Sequence, residues 1–317
     1  MSRILLTAVG SMAAAPAARR YQALGHTVFG CDIYPREWTA LAGELDFFQA
    51  RLATEGEPYV DQLREAVRRN GLDFLIPLTD PEVDALAPRK AEFRALGCTV
   101  CVPEERVAAL CRRKDTMNRF LAEKQVCRLI PTEIAVSGQP CPFPFPAMVK
   151  PRSGRSSLGQ AVAADEKSYQ TALAGREDCI VQPFLEGDIF CVDVARDAFG
   201  HTRAAARQEL LRNKSGLGMT VEVLPGHPLE AVCAAIAEAV GLVGVVNMEF
   251  IRHGDDFFFL EVNPRFSGGV GFSMAAGMDF AEMMLLCHSG GSVEAFPAAP
   301  KHALLARESA IVLTQLR

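Results

Sequence analysis

The chain has 317 residues, which at roughly 100–200 residues per domain suggests two or three domains. Hydrophobic residues make up 49% and charged residues 22%, a globular balance that excludes a disordered chain. With 33 Lys and Arg against 38 Asp and Glu, the net charge is −5, which argues against gripping nucleic acid or an anionic membrane; no apolar run nears the ~18–20 residues of a membrane span.

Residues 3–9 (RILLTAV) read as a buried strand, broken by Gly10, and Met12 to Leu24 as a helix. Only Arg3 precedes the apolar run, which is shorter than the ~7–15 residues of a signal peptide's core. Strand, turn and helix is therefore the reading, and the chain is expected to be cytoplasmic. Residues 26–33 read as a second strand, Tyr59 to Arg69 as an amphipathic helix with Val60, Leu63 and Val67 at helical spacing, and 73–78 as a third strand. A helix over 82–96 and a strand over 98–103 complete an alternation of strands and helices. That alternation predicts a doubly wound parallel α/β sheet over 1–110. Gly10 and Asp32 sit where a dinucleotide fold would place its first glycine and its ribose acid. The turn reads GSMAAAP, however, which leaves two of the three glycine roles unfilled, so an ordinary turn is the simpler reading.

From Cys111 the pattern becomes α+β. RRKDTMNRFLAEKQV reads as one helix carrying Lys114, LIPTEIAV as a strand, and the Pro-rich CPFPFP as an extended entry. AMVK is a short strand ending at Lys150, DEKSYQTALAG a helix and CIVQPFL a strand. Residues 111–187 thus form a small unit, and 188–317 a second with longer strand pairs and a helix over 228–240. The ten cysteines are scattered, with one CxxC at Cys98 and Cys101 and no matching second ligand pair, so reduced, mostly buried thiols are expected. The six histidines show no usable spacing, and the single tryptophan, Trp38, reads as a surface cover.

Two stretches carry chemistry. Lys150 is followed by Gly154, Ser156, Ser157 and Gly159, a loop whose backbone N–H groups and hydroxyls suit a polyanion, with Lys150 as a point charge. A solvated hairpin tip is the plain alternative. In GVVNMEFIRHGDDFFFLEVNPRFSGG (244–269), VVNMEFI and FFFLEVN read as strands of a hairpin. A turn centred on Asp255 sets Glu249 opposite Glu261, with Asn263 on the same face. Two facing carboxylates at an effective dielectric near 20 repel by about 4 kcal/mol at ~4 Å. A shared proton or a divalent cation would offset that, and two Glu with one Asn suit Mg²⁺ beside phosphate oxygens. Arg265 follows, placed to clamp phosphoryl charge.

These residues resemble the ATP-grasp enzymes, in a style similar to the carbamoyl phosphate synthase large subunit, biotin carboxylase and amino-acid ligases. The resemblance spans nearly the whole chain: IPLTDPEVDALA, RRKDTMNRFL, MVKPRSGRSSLGQ, VQPFLEGDIFCVDV and MEF…LEVNPRFSGG. It implies a Rossmann-like pre-ATP-grasp domain followed by a two-part ATP-grasp fold. It implies that Lys114 and Lys150 hold ATP phosphates, that Ser156, Ser157 and Gly159 belong to a flap, and that Gln182, Pro183, Phe184 and Leu185 form the adenine hinge. Glu249, Glu261 and Asn263 match the Mg²⁺ ligands (Mn²⁺ as a substitute), with Glu261 bridging two ions. Arg265 matches the arginine at the transferring phosphoryl group, with Arg207 and Arg212 on a basic strand beside it. Gly268 and Gly269 match the loop that receives an amino-acid carboxylate in the ligases. The sequence EGDIF departs from the family's usual acidic pair, because Ile189 takes one place and only Asp188 remains for ribose.

The resemblance implies an ATP-dependent carboxylate–amine ligase whose carboxylate is an amino acid or small acid. A carboxylate is activated as an acyl phosphate with release of ADP, then captured by an amine; this needs positioning and charge neutralisation more than a nucleophilic side chain. A small carboxylate and an amine are the expected partners, with a homodimer as the expected assembly. The rivals are a carboxylase-like enzyme forming carboxyphosphate, a nucleotide-binding module without turnover, and an NAD oxidoreductase resting on Gly10 and Asp32.

Overall fold

The computed structural model describes residues 1–154 and 158–315. The first third is a five-stranded parallel sheet built from β1 (Arg3–Leu6), β2 (Thr27–Asp32), β3 (Asp46–Gln49), β4 (Phe74–Ile76) and β5 (Thr99–Val100), in the order β3-β2-β1-β4-β5. Its helices are α1 (Ala14–Ala23), α2 (Glu57–Asn70), α3 (Asp80–Leu86) and α4 (Lys90–Ala95). The apolar stripe of α2, with Val60, Leu63 and Val67 buried, faces the sheet as its spacing predicts, and Gly71 ends it in the left-handed conformation. Strand β3 lies between β2 and α2, where the sequence pattern predicts no element, because DFFQ alternates too briefly to stand out from its flanking turns. The expected helix over 82–96 is two helices joined by a 3₁₀ turn at Ala87–Arg89, where Pro88 removes a backbone donor.

Between the two large sheets lie α5 (Glu105–Arg112) and α6 (Lys114–Lys124). The single helix expected over RRKDTMNRFLAEKQV is interrupted at Arg113, which is extended and caps α6. LIPTEIAV divides at Pro131 into β6 (Arg128–Leu129) and β7 (Glu133–Ala135). Strands β8 (Ala147–Pro151), β9 (Ala161–Ala163) and β10 (Cys179–Pro183), with α7 (Glu166–Leu173), form a small antiparallel sheet in the order β7-β10-β8-β9.

The remaining strands are β11 (Asp188–Arg196), β12 (Thr202–Arg212), β13 (Gly218–Val223), β14 (Gly244–His253), β15 (Asp256–Asn263) and β16 (Ala303–Ala306). With β6 they make a seven-stranded sheet in the order β16-β13-β12-β11-β14-β15-β6. One face carries Phe190, Val192, Met248 and Phe250 and packs on α8 (Pro228–Val240). Alternation sends the neighbouring residues, Cys191, Asp193, Asn247, Glu249 and Glu261, to the other face. Helices α9 (Val270–Ala275) and α10 (Phe280–Ser289) complete this part. Phe280, Met283 and Met284 of α10 share one core with Ile4 and Leu6 of the first sheet and Tyr21 of α1. At about 1.5–3 kcal/mol per buried large apolar side chain, that shared core ties the first sheet to the last strands. All ten cysteines are free thiols, eight of them buried, and no described helix is long and apolar enough to cross a membrane.

Candidate functional site

Hairpin β14–β15 brings Glu249 opposite Glu261, and Asn247 opposite Asn263. Two deviations cancel to give this register. The turn is the two-residue Gly254–Asp255, with Gly254 at φ +61°, so His253 pairs with Asp256 and the hairpin is centred half a residue before Asp255. A bulge between the Glu249 and Phe250 pairs, which leaves Leu260 without a partner, then restores the Glu249–Glu261 pairing. Asn263 Nδ2 lies 3.2 Å from Glu249 Oε1 and 3.4 Å from Glu261 Oε1. Burial, and then the facing Glu261, push the Glu249 carboxyl up to about 7.

Cations from three segments converge on this pair. Lys114 Nζ at the start of α6 is 3.0 Å from Glu261 Oε2, and Arg212 at the end of β12 is 3.8 Å from Glu249 Oε2. The Arg212 Nε is buried without a partner. Lys150 on β8 is 5% exposed, and burial pushes its ammonium down to about 8, with neighbouring Lys114 adding to the fall. A buried amine of this kind gains from an anion brought to it.

Two cavities meet at the glutamates. One, of about 270 Å³, is lined by Lys114, Lys150, Gly154, Gln182, Pro183, Phe184, Leu185, Ile189 and Arg212, and it reaches Glu249 and Glu261. Its walls are apolar at the hinge (Met148, Phe184, Leu185, Ile189, Ile251) and cationic at the inner end. Gln182 is turned by a 2.6 Å hydrogen bond from its Nε2 to Thr132 Oγ1. The other cavity, of about 290 Å³, lies between the first sheet and the large sheet. Ser11, Met12, Thr79 and Asp80 line it on one side, and Arg207, Glu209, Asn263, Arg265, Gly268 and Gly269 on the other, again reaching both glutamates.

Arg265 is held in this second cavity by Asp80, with Nε–Oδ1 at 3.0 Å and Nη2–Oδ2 at 2.9 Å. Burial works against the Arg265 charge, but Asp80 more than offsets it and its pKa is raised. Asp80 is wholly buried at the first position of α3, where Thr79 and Glu82 form a capping box.

Several expected residues stand elsewhere. Ser156 and Ser157 lie outside the described residues. Gly159 turns its carbonyl to Arg176, at 2.6 Å from Nη2, while Gly154, Leu158 and Gln160 line the hinge cavity instead. Asp188 points away from that cavity and pairs with Arg252, since alternation along β11 gives the cavity to Ile189; the ribose contact expected of Asp188 is not supported. Arg207 is 1% exposed beneath Gly269, where a Cβ would come within 2.7 Å of its Nη2. Its donors go to Asp193 (2.6 Å), Glu209 (3.2 Å), Ser267 (3.1 Å) and Ser273 (3.2 Å). It therefore holds the Ser267–Gly269 loop in place rather than standing free for a phosphoryl group. Asp32 accepts from Gly10 N at 2.8 Å and Tyr34 N at 3.1 Å, so its carboxylate is spent on the β1 and β2 turns. The sequence reading missed Asp80, Thr132, Asp193 and Glu209. Only Asp80 carried a local signal, the T-D-P-E cap at a strand's end.

The donor set fits a hard divalent cation. Two facing, partly buried carboxylates strain against each other with Lys114, a more distant Arg212 and one amide to offset them, and Asn263 would present its carbonyl after a half-turn of the amide. Among the described residues no group of three His, Cys, Asp or Glu converges on a metal position, so further ligands must be other oxygens, as a nucleotide phosphate supplies.

A family model described as "ATP-grasp in the biosynthetic pathway with Ter operon" matches residues 175–310. A formate-dependent phosphoribosylglycinamide formyltransferase of Synechococcus sp. (strain CC9605) is 27% identical over 275 residues, covering 77% of this chain; the match spans 64% of that protein. Among solved structures, biotin carboxylase from Campylobacter jejuni superposes with a TM-score of 0.76 at 16% identity, over 96% of this chain and 74% of that one. An L-amino acid ligase from Bacillus licheniformis gives a TM-score of 0.71 at 14% identity, over 92% of this chain and 74% of that one. Residues 175–310 thus resemble an ATP-grasp family, and the chain has the mixed α/β architecture of the ATP-grasp fold.

Proposed function

We propose that this protein is an ADP-forming ligase that activates a small carboxylate as an acyl phosphate and joins it to an amine. The observation that carries this reading is the meeting of two cavities, one cationic with an apolar hinge and one facing the first sheet, at the Glu249–Glu261 pair.

In this reading the hinge residues Gln182 to Leu185 hold adenine, and Lys114, Lys150 and Arg212 hold the phosphates. Glu249, Glu261 and Asn263 would hold Mg²⁺ or Mn²⁺, whose chemistry is to neutralise phosphate charge beside the two carboxylates. Arg265, fixed by Asp80, clamps the γ-phosphoryl group as it transfers. The carboxylate oxygen forms a bond to the γ-phosphorus as the bond to ADP breaks. The amine nitrogen then bonds to the acyl carbon, phosphate leaves, and the amine sheds a proton. Gly154, Leu158 and Gln160 border the hinge cavity and would limit water's access to the acyl phosphate.

The relatives' name specifies formate and a phosphoribosyl amine. A phosphate on the second substrate asks for a further cation in the interdomain cavity, yet of the two arginines lining it Arg265 is given to the γ-phosphoryl group and Arg207 is enclosed by Asp193 and Glu209. A smaller amine-bearing substrate suits that cavity better. The test is ADP release from Mg·ATP across pairs of carboxylates (formate, bicarbonate and amino acids among them) and amines, with mass spectrometry of each positive. ADP tied to one pair and a condensed product is the expected result. Nucleotide binding with no ADP from any pair would favour a module without turnover, and ADP with bicarbonate alone would favour a carboxylase-like enzyme.

A further inference from the structure

The two lysines of the hinge cavity come from different parts of the fold. Lys150 stands on β8 of the small sheet, whereas Lys114 opens α6 and reaches Glu261 of the large sheet. Neighbouring ammonium groups repel: burial, and then Lys114, lower the Lys150 pKa. Glu261 is the acid that holds Lys114 in place. It is also an expected metal ligand, and a Glu261 turned to Mg²⁺ no longer serves Lys114 alone. A second hold must then keep Lys114 beside Lys150.

That hold lies where β8 ends. The Arg152 carbonyl accepts from the Lys114 backbone N–H at 3.0 Å, and the Gly154 carbonyl accepts from Lys114 Nζ at 3.4 Å. Arg152 Nη2 donates to Asp115 Oδ2 at 2.6 Å, and Asp115 follows Lys114 in the first turn of α6. Arg152 is fixed in turn on the small sheet, because its N–H donates to Asp178 O at 3.0 Å and its Nη1 meets Asp178 Oδ1 at 3.0 Å. Asp115 has one further cation, Arg113, whose Nε lies 3.5 Å from Oδ1. The Asp115 side chain is 6% exposed and that of Arg152 24%, so water screens this pair less than a fully exposed one. Burial works against the Asp115 charge, yet Arg152 outweighs it and the carboxyl pKa is lowered. The described residues lining the hinge cavity include Lys114, Lys150, Pro151 and Gly154, but neither Asp115 nor Arg152.

We propose that Arg152 and Asp115 are positioning residues: their ion pair locks the start of α6 to the end of β8, so that Lys114 and Lys150 meet the nucleotide phosphates as one unit. This rests on the nucleotide reading above and extends it to two residues outside the cavity. Coulombic reach alone would give the pair opposite effects. Removing an acid near the phosphates would tighten their binding, and removing a base would loosen it. A lock loosens binding when either member is lost, because each loss frees the same lysine.

The test is calorimetric titration of the whole protein with a non-hydrolysable ATP analogue in excess Mg²⁺. Binding to the unaltered protein is measured first; its absence would overturn the nucleotide reading and the lock with it. Where the analogue binds, Arg152→Gln and Asp115→Asn should each weaken it about five- to tenfold. The double variant should lie within about twofold of the weaker single, as expected of two residues acting as one pair. In a Lys114→Ala background, adding Arg152→Gln should change the affinity by less than about twofold, because the lock acts only through Lys114. A general loss of packing would instead add its full effect there. Asp115→Glu, which keeps the charge, should restore most of the affinity lost in Asp115→Asn. Should Arg152→Gln not fold, Asp115→Asn with and without Lys114 carries the same comparison. Unchanged or tighter binding in Asp115→Asn would overturn the lock while leaving the nucleotide reading intact. So would an effect of Arg152→Gln that persists undiminished without Lys114.

Discussion

Lys114 Nζ stands 3.0 Å from Glu261 Oε2, an ion pair between the start of α6 and the last strand of the hairpin, 147 positions apart in the chain. The ammonium sits where a cation is needed beside two facing carboxylates. It holds the hairpin's charge in balance, and a nucleotide phosphate offers it an alternative partner. Glu261→Gln should thus lower ADP formation by at least about a hundredfold, the scale of losing a key electrostatic group. The fold should stay near normal, because the change also relieves the repulsion at Glu249. Steady-state ADP release alongside thermal melting checks this, and turnover like that of the unaltered protein would defeat the metal assignment.

Lys150 is buried with its ammonium pushed down to about 8, and its worth lies in an anion brought to it. Lys150→Ala should weaken ATP binding about 10- to 100-fold, since hydrogen bonds to charged groups contribute about 1.5–3 kcal/mol. Calorimetric titration with a non-hydrolysable ATP analogue reads this directly. An unchanged affinity would remove Lys150 from the phosphate site.

Asp80 has no exposed surface and grips Arg265 from the start of α3. Asp80→Asn leaves a buried guanidinium without its counter-charge, which should cost about 3–5 kcal/mol in urea unfolding. It should also lower kcat more than the KM for ATP, because Arg265 loses its orientation and not the nucleotide its pocket. A variant with full kcat would separate Arg265 from phosphoryl transfer.

His288, on α10, packs against Gly244, and its Nε2 has no partner. Burial, helped by Lys90, holds its pKa down at about 3. Its unfolded value is near 6.5. The folded state thus binds no proton there while the unfolded state does, so stability is complete above about pH 6.5 and falls as pH drops toward 3. The slope has a ceiling of about 1.4 kcal/mol per pH unit. Urea unfolding at pH 7.5, 6.5 and 5.5 should show the loss, and His288→Gln should flatten it; equal slopes in the two proteins would refute the assignment.

The most informative local signal was the hairpin. Side-chain alternation and a glycine-bearing turn are properties of a few consecutive residues, and they put Glu249 against Glu261 even though the turn centre and the bulge each differ from the simplest pairing. Lys150 at the end of a strand, and the apolar stripe of α2, were legible for the same reason. Strand β3 was not, because four residues of weak alternation gain their strand identity from pairing with β2. The pairing of Asp188 with Arg252 was not legible, because which of Asp188 and Ile189 takes the cavity face depends on how β11 sits in the sheet.

The sequence alone thus determined the alternation of elements, the ATP-grasp resemblance and the acidic hairpin, because each is written in periodicity or in a short ordered motif. Tertiary structure alone decided which charges are free. Arg207 looks like a reactive cation on its strand and proves to be enclosed by Asp193 and Glu209, whereas Arg265 owes its orientation to Asp80, 185 positions away. Coulombic partnership depends on distance in space and on burial. No local period records either, so these pairings become visible only in the folded chain.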